Sequence, residues 1–330
     1  MVQKNFIKWG ILGCGSIANA FAEGLKKVPN AKLEAVASKS RKAEPFGKKF
    51  NIKKRYNNYK DLVSDSDIDI VYIATTHNFH YENILLCLEH GKAVLSEKPF
   101  TINAFQAKVL INKAKKEKIF LMEGMWTRFI PCVVKLRELI DKNRILGEIR
   151  HFKGDFCVNM PYGNEHRVYN PKLAGGALLD LGVYSISFTS MIFKEPPEKI
   201  MSSAILGETG VDVFSSYLFS YKSGSTSMMN SSTKILMPHD AYIVGTKGYM
   251  HVPNFSRPTN IFLHLNNEKE QTIEIPYEPT GFQFEAIEVG NCLRKGKIES
   301  EIMPLRETLE IMNSMDTLRT QWGFKYPEEN

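Results

Sequence analysis

Gly13-Cys14-Gly15-Ser16-Ile17-Ala18 has the spacing G-x-G-x-x-A. The first glycine of such a run permits a tight turn, the second lets the backbone approach a pyrophosphate, and the small third residue lets helix and strand pack closely. A lone match is as consistent with a plain glycine-rich turn. This one follows the β-rich run Phe6–Leu12 and opens the helically spaced segment Ile17–Val28, the context a dinucleotide loop requires. The amides of Ser16, Ile17 and Ala18 would then face the phosphates at a helix N-terminus. Ser38-Lys39-Ser40-Arg41 ends the next strand-like run. A chain that binds the ribose 2′-hydroxyl usually carries Asp or Glu there. Two cations and two hydroxyls, at Ser38, Lys39 and Arg41 above all, suit a 2′-phosphate instead and favour NADP over NAD; the other reading is a basic surface loop.

Three further groups lie where ligands meet sheets. Thr75-Thr76-His77-Asn78-Phe79-His80 follows a buried-type strand, and the carboxyl ends of open α/β sheets bind ligands. Thr75, Thr76, His77, Asn78 and His80 are candidates for the ribose and nicotinamide side of the cofactor, or for purely structural polar contacts. Glu97-Lys98-Pro99 follows the next strand. Lys98 is either a surface cation or an ammonium that orients a substrate hydroxyl and lowers the pKa of a neighbouring acid, with Pro99 fixing the exit turn. Gly175 to Tyr184 reads GGALLDLGVY. Asp180 and Tyr184 are four residues apart and share one helical face. Gly182 between them costs about 1 kcal/mol of helix stability relative to alanine, which a close-lying ring such as nicotinamide, or an interdomain contact, would explain.

These residues need elements to hold them. Through about residue 124 the chain alternates strand-like and helix-like segments: Phe6–Leu12, Ile17–Val28, Lys32–Ser38, Lys42–Phe50, Ile68–Thr75, Phe79–His90, Ala93–Ser96, Asn103–Glu117 with Asn103 or Thr101 as cap, and Ile119–Met122. That alternation predicts right-handed crossovers and a doubly wound parallel sheet. Strands dominate after Glu148, at Glu148–Val158, Val213–Tyr221, Ser225–Ser232, Ala241–Val244, Ile261–Leu265 and Thr272–Ile275, with helices at Ala177–Phe193, Phe282–Arg294 and Leu305–Thr320. The fold class expected is α/β: a Rossmann domain over 1–124, then an α+β substrate and oligomerisation domain over 125–330 with an open, largely antiparallel sheet. The C-terminal helix has the option of packing back on the first domain.

Composition narrows the alternatives. A length of 330 residues favours two domains, and 43% hydrophobic content supports a large core. The net charge is +7, but the cations are spread rather than clustered, which argues against nucleic acid. Cys14, Cys87, Cys132, Cys157 and Cys292 form no C-x-x-C pair, pointing to buried thiols in a reducing compartment and no metal site. Glycines interrupt the apolar N-terminus, and no uninterrupted apolar run approaches the ~18 residues of a membrane span. A cytoplasmic location and no membrane partner are expected.

Together these motifs resemble the glucose–fructose oxidoreductase/inositol dehydrogenase/rhizopine catabolism family, Gfo/Idh/MocA. The resemblance runs nearly end to end, through the glycine loop, Glu97-Lys98-Pro99, Met125-Trp126-Thr127-Arg128-Phe129, Gly175 to Tyr184, Phe282 to Glu285, Met303-Pro304-Leu305 and DTLRTQWG at 316–323. Trp126 to Phe129 and the tail look most like the branch that contains dimeric dihydrodiol dehydrogenase and NADP-dependent D-xylose 1-dehydrogenase. The resemblance implies that Lys98 is the catalytic lysine, Tyr184 the acid/base where many members have His, and Asp180 its acidic partner. It also implies that Trp126 and Arg128 lie near nicotinamide and substrate, with Glu97 and Arg128 on the cofactor side and Trp126, Asp180 and Tyr184 on the substrate side. Ala174 departs from a glycine common in the family, and Lys39 from an Arg frequent in its NADP-dependent members.

The expected function is reversible hydride transfer between NADP, or NAD, and a secondary alcohol or hemiacetal carbon of a sugar, polyol or cyclic diol. The expected assembly is a homodimer or higher homo-oligomer formed through the exposed sheet face. The rival readings are a non-catalytic dinucleotide-binding regulator of the same fold and an imine or biliverdin-type reductase. Retention of Lys98, Asp180 and Tyr184 together speaks for the enzyme.

Overall fold

A computed structural model of the chain describes residues 6–163, 165–278 and 280–329. The chain forms two compact units, Met1–Trp126 with Pro279–Leu309, and Thr127–Glu278 with Glu310–Asn330.

In the first unit β1 (Ile7–Leu12), β2 (Ala31–Ala37), β3 (Lys54–Tyr56), β4 (Ile70–Ile73), β5 (Ala93–Glu97) and β6 (Leu121–Gly124) form one parallel sheet in the order β3-β2-β1-β4-β5-β6. The crossovers carry α1 (Ser16–Leu25), α2 (Ala43–Lys49), α3 (Tyr59–Ser64), α4 (His80–Glu89) and α5 (Ala104–Glu117). β4 and β5 are buried at every position, as expected of parallel strands covered on both faces. The strand order reverses between β1 and β4, so the crevice outside their carboxyl ends is the place for a ligand. Asn103 caps α5 by accepting from the Gln106 amide at 2.9 Å.

Periodicity did not signal β3 and α3, because three and six residues are too few to display it. β6 lies two residues later than the expected Ile119–Met122, which brings Glu123 into the strand. Phe21 on α1 stacks on Tyr72 of β4, ring centroids 3.6 Å apart.

The second unit holds an eight-stranded sheet of β7 (Ile149–Cys157), β8 (Lys199–Leu206), β9 (Asp212–Ser220), β10 (Thr226–Ser232), β11 (Ala241–Gly245), β12 (Gly248–Val252), β13 (Asn260–Leu265) and β14 (Gln271–Glu274), ordered β14-β13-β12-β11-β7-β10-β9-β8. Every neighbouring pair is antiparallel except β7 and β10. α6 (Pro131–Arg137) precedes it in the chain, and α7 (Val183–Phe193) packs against β7 and β10. Phe188 of α7 stacks on Phe152 of β7 at 5.7 Å. The helical stretch Pro171–Phe193 is long and apolar enough to pass for a membrane span, yet 89% of its apolar window is buried, the mark of a core helix.

β8 and β12 also escaped the sequence reading. β8 alternates exposed and half-buried residues, with no position fully enclosed, so its hydrophobic signal is weak. The segment Ala177–Phe193, expected as one regular helix, begins as a π turn over Leu178–Gly182 before α7.

The remaining helices are α8 (Phe282–Arg294) and α9 (Leu305–Gln321). α8 packs on α1 within the first unit: a methyl group on Gly24 would lie 3.1 Å from the Gln283 amide. Trp126 stacks on Phe282 at 5.0 Å, and the Leu121 amide of β6 donates to Ile298 O at 3.0 Å.

Candidate active site

In the first unit the glycine loop leaves β1 beside the end of β4. Gly13 has φ +99°, and a Cβ there would stand 2.6 Å from Ala74 O, so side chains are excluded by both conformation and space. At Gly15 a Cβ would meet nothing within 4 Å. Ala18 is fully buried, and the N-cap residue of α1 is Gly15, which has no side chain to cap the helix. The start of α1 therefore has open space beside Gly15, which fits the close approach of a pyrophosphate. The Cys14 thiol in this loop is pushed up to about 11 by burial, against the opposing pull of a hydrogen bond with Ser38, and is a neutral wall of the site.

At the end of β2, Ser38 Oγ lies 3.0 Å from Ser40 Oγ and accepts from the Ser40 amide. Lys39 and Arg41 are exposed. Lys39 Nζ sits 3.7 Å from the Glu82 carboxylate and 4.9 Å from the centre of the Tyr59 ring, which holds the ammonium at the end of the strand. After β4, Thr76 Oγ1 donates to Asn78 Oδ1 at 2.8 Å, and Asn83 donates to Thr75 Oγ1 at 3.2 Å. His77 is buried against the edge of His80. His80 is wholly enclosed, with Nδ1 2.8 Å from Pro99 O and Nε2 3.1 Å from Thr75 O. It ties the loop after β4 to the turn after β5.

That turn carries Lys98, half-buried, at a cis Lys98–Pro99 bond. Its backbone is held by two buried carboxylates. Glu97 accepts from the Lys98 amide at 3.3 Å and from the Tyr72 hydroxyl, and Glu123 accepts from the Phe100 amide at 3.1 Å. Glu285 of α8 is a third carboxyl here: a methyl group on Gly124 would lie 3.5 Å from its Oε2 and 3.6 Å from Glu97 Cα. Neither Glu285 oxygen has a hydrogen-bonding partner among the described residues. Burial first, then the charge of Glu97, holds its pKa well above the usual carboxylate range.

In the second unit Asp180 lies on the turn Leu178–Gly182 and Tyr184 on α7, which continues it. Asp180 is buried, and Arg167 grips it: Nη1 donates to Oδ1 at 3.1 Å, and Nη2 to Oδ1 at 3.2 Å and Oδ2 at 3.1 Å. No pattern in the sequence flagged Arg167, which lies on an irregular segment. Tyr184 packs edge-on against Phe156 at 5.1 Å.

The reason expected for Gly182 needs correction. A Cβ there would stand 2.7 Å from Tyr217 Oη and 3.1 Å from Ser231 Oγ, so β9 and β10 within the same unit already demand a glycine, and no ring of a ligand has to be invoked. Gly176 has φ +118°, and a Cβ would meet Asp212 Oδ1 at 2.3 Å. Ala174 adopts the left-handed φ of 53°, the conformation a glycine takes at lower cost. Arg128 is enclosed, donating through Nε to Ser187 Oγ at 2.9 Å and through Nη2 to Ser187 O at 2.8 Å. Trp126 is buried on Phe282.

Residues 7–125 match the model of an oxidoreductase family with an NAD-binding Rossmann fold, and residues 133–251 match the Gfo/Idh/MocA C-terminal domain. The chain belongs to the Gfo/Idh/MocA family. This Gfo/Idh/MocA protein is 36% identical over 333 residues to a trans-1,2-dihydrobenzene-1,2-diol dehydrogenase of Xenopus tropicalis, covering 97% of this chain and 99% of that one. It is 35% identical over 368 residues to a D-xylose 1-dehydrogenase (NADP(+)) of Hypocrea jecorina, covering 98% and 93%. Among solved structures, a 3-ketoreductase of Actinomadura kijaniata in complex with NADP and TDP-benzene superposes with a TM-score of 0.84 at 24% identity, covering 96% and 98%, a likeness of fold. The chain is an NAD(P)-dependent oxidoreductase.

Proposed function

We propose that this chain interconverts a secondary alcohol or hemiacetal of a sugar, polyol or cyclic diol with the corresponding carbonyl, and that it prefers NADP(H). The observation that carries this reading is the end-to-end similarity to a diol dehydrogenase and to an NADP-dependent sugar dehydrogenase. The cofactor, when bound, supplies the hydride chemistry. Gly13, Gly15 and the amides at the start of α1 would hold its pyrophosphate, and the open approach at Gly15 supports this. Ser38, Lys39 and Arg41 would hold a 2′-phosphate. Thr75, Thr76 and Asn78 would line the ribose side, with His80 as a structural tie behind them.

Tyr184 would take the substrate hydroxyl proton in the oxidative direction and return it in the other. Lys98 would orient that hydroxyl, its backbone fixed by Glu97 and Glu123. Asp180, steadied by Arg167, would accept from a second substrate hydroxyl, and Trp126 would supply apolar contact. The enclosure of Arg128 by Ser187 favours support of α7 as its task. A homodimer is part of the same reading, because Met201, Ile205, Leu206 and Met228 on β8 and β10 are exposed apolar side chains.

The test is a panel of aldoses, inositols and trans-diols, each assayed with NADP+ and NAD+ by the absorbance of the reduced cofactor. Turnover of none of them with either cofactor would overturn the proposal.

A further inference from the structure

The turn that carries Asp180 and Tyr184 is pinned at its start by two buried side chains from distant parts of the second unit. The Asp212 carboxylate, at the first position of β9, accepts from the Leu178 amide at 2.7 Å. Tyr326, from the C-terminal segment, donates its hydroxyl to Gly175 O at 2.6 Å. Both residues are fully buried. The geometry points to Asp212 and Tyr326 as positioning residues of the reaction, which hold the acid/base turn through the backbone groups of Gly175 and Leu178. This rests on the reading of Asp180 and Tyr184 as reaction residues.

First-turn amides have no partner within their own helix, and an anion at a helix N-terminus satisfies them and complements the helix dipole. Asp212 does this from the sheet, so the turn is referenced to a rigid strand rather than to a loop. Gly176 between the two anchors allows the close approach, since any side chain there would displace the carboxylate. Finally, Tyr326 is itself fixed. Its amide donates to Glu329 at 2.8 Å, and the Arg319 guanidinium lies 4.9 Å over its ring. Arg319 in turn pairs with Asp316 and Glu329.

Ionisation of Asp212 matters to this arrangement. Burial pushes its carboxyl up to about 7, opposed by the Leu178 amide, by its own amide and by the positive charge of Arg319. The other titratable groups that face it are Tyr326, held neutral by burial, and Tyr217, likewise raised by burial. Its Oδ1 has no hydrogen-bonding partner among the described residues. Protonation thus weakens the acceptor that caps the turn, and turnover falls on the acid side of neutrality for a reason separate from the proton transfer proposed for Tyr184.

The experiment measures kcat, KM and their pH dependence in the full-length enzyme for wild type, Tyr326→Phe, Asp212→Asn and Tyr184→Phe, with thermal unfolding alongside. Tyr326→Phe keeps the ring and loses one buried hydrogen bond. It should lower kcat by about tenfold, since displacement of reacting groups is costly in rate, with cofactor KM unchanged and the protein folded. Asp212→Asn keeps an acceptor for the Leu178 amide but cannot titrate, so the limb of the kcat profile at about pH 6–8 should vanish. A role in stability alone would shift the unfolding temperature and leave the kcat profile as in wild type, which would overturn the proposal. Loss of turnover in Tyr184→Phe with unaltered Tyr326→Phe and Asp212→Asn would also overturn it. Near wild-type turnover in Tyr184→Phe would instead remove the site reading beneath it.

Discussion

Arg167 holds both carboxylate oxygens of Asp180, yet its own side chain is 47% exposed while that of Asp180 is 4% exposed. The cation is reached from solvent and the anion is not. Removing the cation leaves a buried carboxylate without this partner, which is the costly way to break such a pair. Arg167→Met should destabilise the protein by about 1–2 kcal/mol, a figure reduced for the exposure of the guanidinium. It should also lower kcat, and Arg167→Lys should recover part of both. Denaturant unfolding with parallel kinetics checks this; full activity in Arg167→Met would separate Asp180 from the reaction.

Cofactor choice has a built-in competitor. Glu82 lies 3.7 Å from Lys39 Nζ and opposes a 2′-phosphate that seeks the same ammonium. Lys39→Ala with Arg41→Ala should weaken NADP(H) about tenfold or more through loss of charge-assisted contacts, with NAD(H) nearly unchanged. Glu82→Gln should tighten NADP(H) by about two- to fivefold, the scale of a surface ion pair. Fluorescence titration of both reduced cofactors reads these out, and tighter wild-type binding of NADH than of NADPH would refute the preference.

Lys98→Met and Tyr184→Phe should each slow turnover by roughly 10²–10⁴-fold, as for a lost acid/base contribution. The double variant should be little slower than the slower single one, because groups that act on one proton are not additive. Cofactor affinity should change far less. Additive losses would show that the two act in separate steps.

Glu285 makes stability depend on pH in a definite direction. Its folded-state pKa lies above the ordinary value because of burial and the Glu97 charge, so the folded state keeps a proton that the unfolded chain has released. Stability therefore falls as pH rises from about 4.3, the unfolded value, through the folded pKa. Glu285→Gln should flatten this slope over the same range. Unfolding temperature against pH tests it, with roughly 2–4 °C expected per kcal/mol. An unchanged slope in Glu285→Gln would place the titration elsewhere.

The exposed apolar residues of β8 and β10 predict that Met201→Lys with Met228→Lys shifts the protein toward monomer, while light scattering of wild type gives at least a dimer mass. A wild-type monomer at working concentration would refute the assembly.

Much of this architecture was legible in the sequence because it is local. The glycine loop, the strand ends bearing Thr75 and Lys98, and the helical spacing of Asp180 and Tyr184 each lie within a few residues of one another. Arg167, Asp212 and Tyr326 were not legible, since their roles arise from pairings over 13 to 151 residues that no periodicity records. At a strand end His80 reads as a ligand contact or as a structural one; its two carbonyl neighbours, far apart in sequence, make it a tie. The crowding at Gly182 comes from Tyr217 and Ser231 on two strands whose placement beside the helix no local pattern records.

The packing of α8 on α1 has a consequence for how the polypeptide is born. The Rossmann sheet is complete by Gly124, but Phe282, which covers Phe21 and Trp126, follows only after the roughly 150 residues that build the second unit. At ~5–20 residues per second the ribosome needs roughly 8–30 s to deliver it. Through that interval the nascent first unit carries an uncovered aromatic face, and a fragment that stops near residue 126 never acquires its cover. A permuted gene that places the α8 segment ahead of β1 would close this unit early in synthesis.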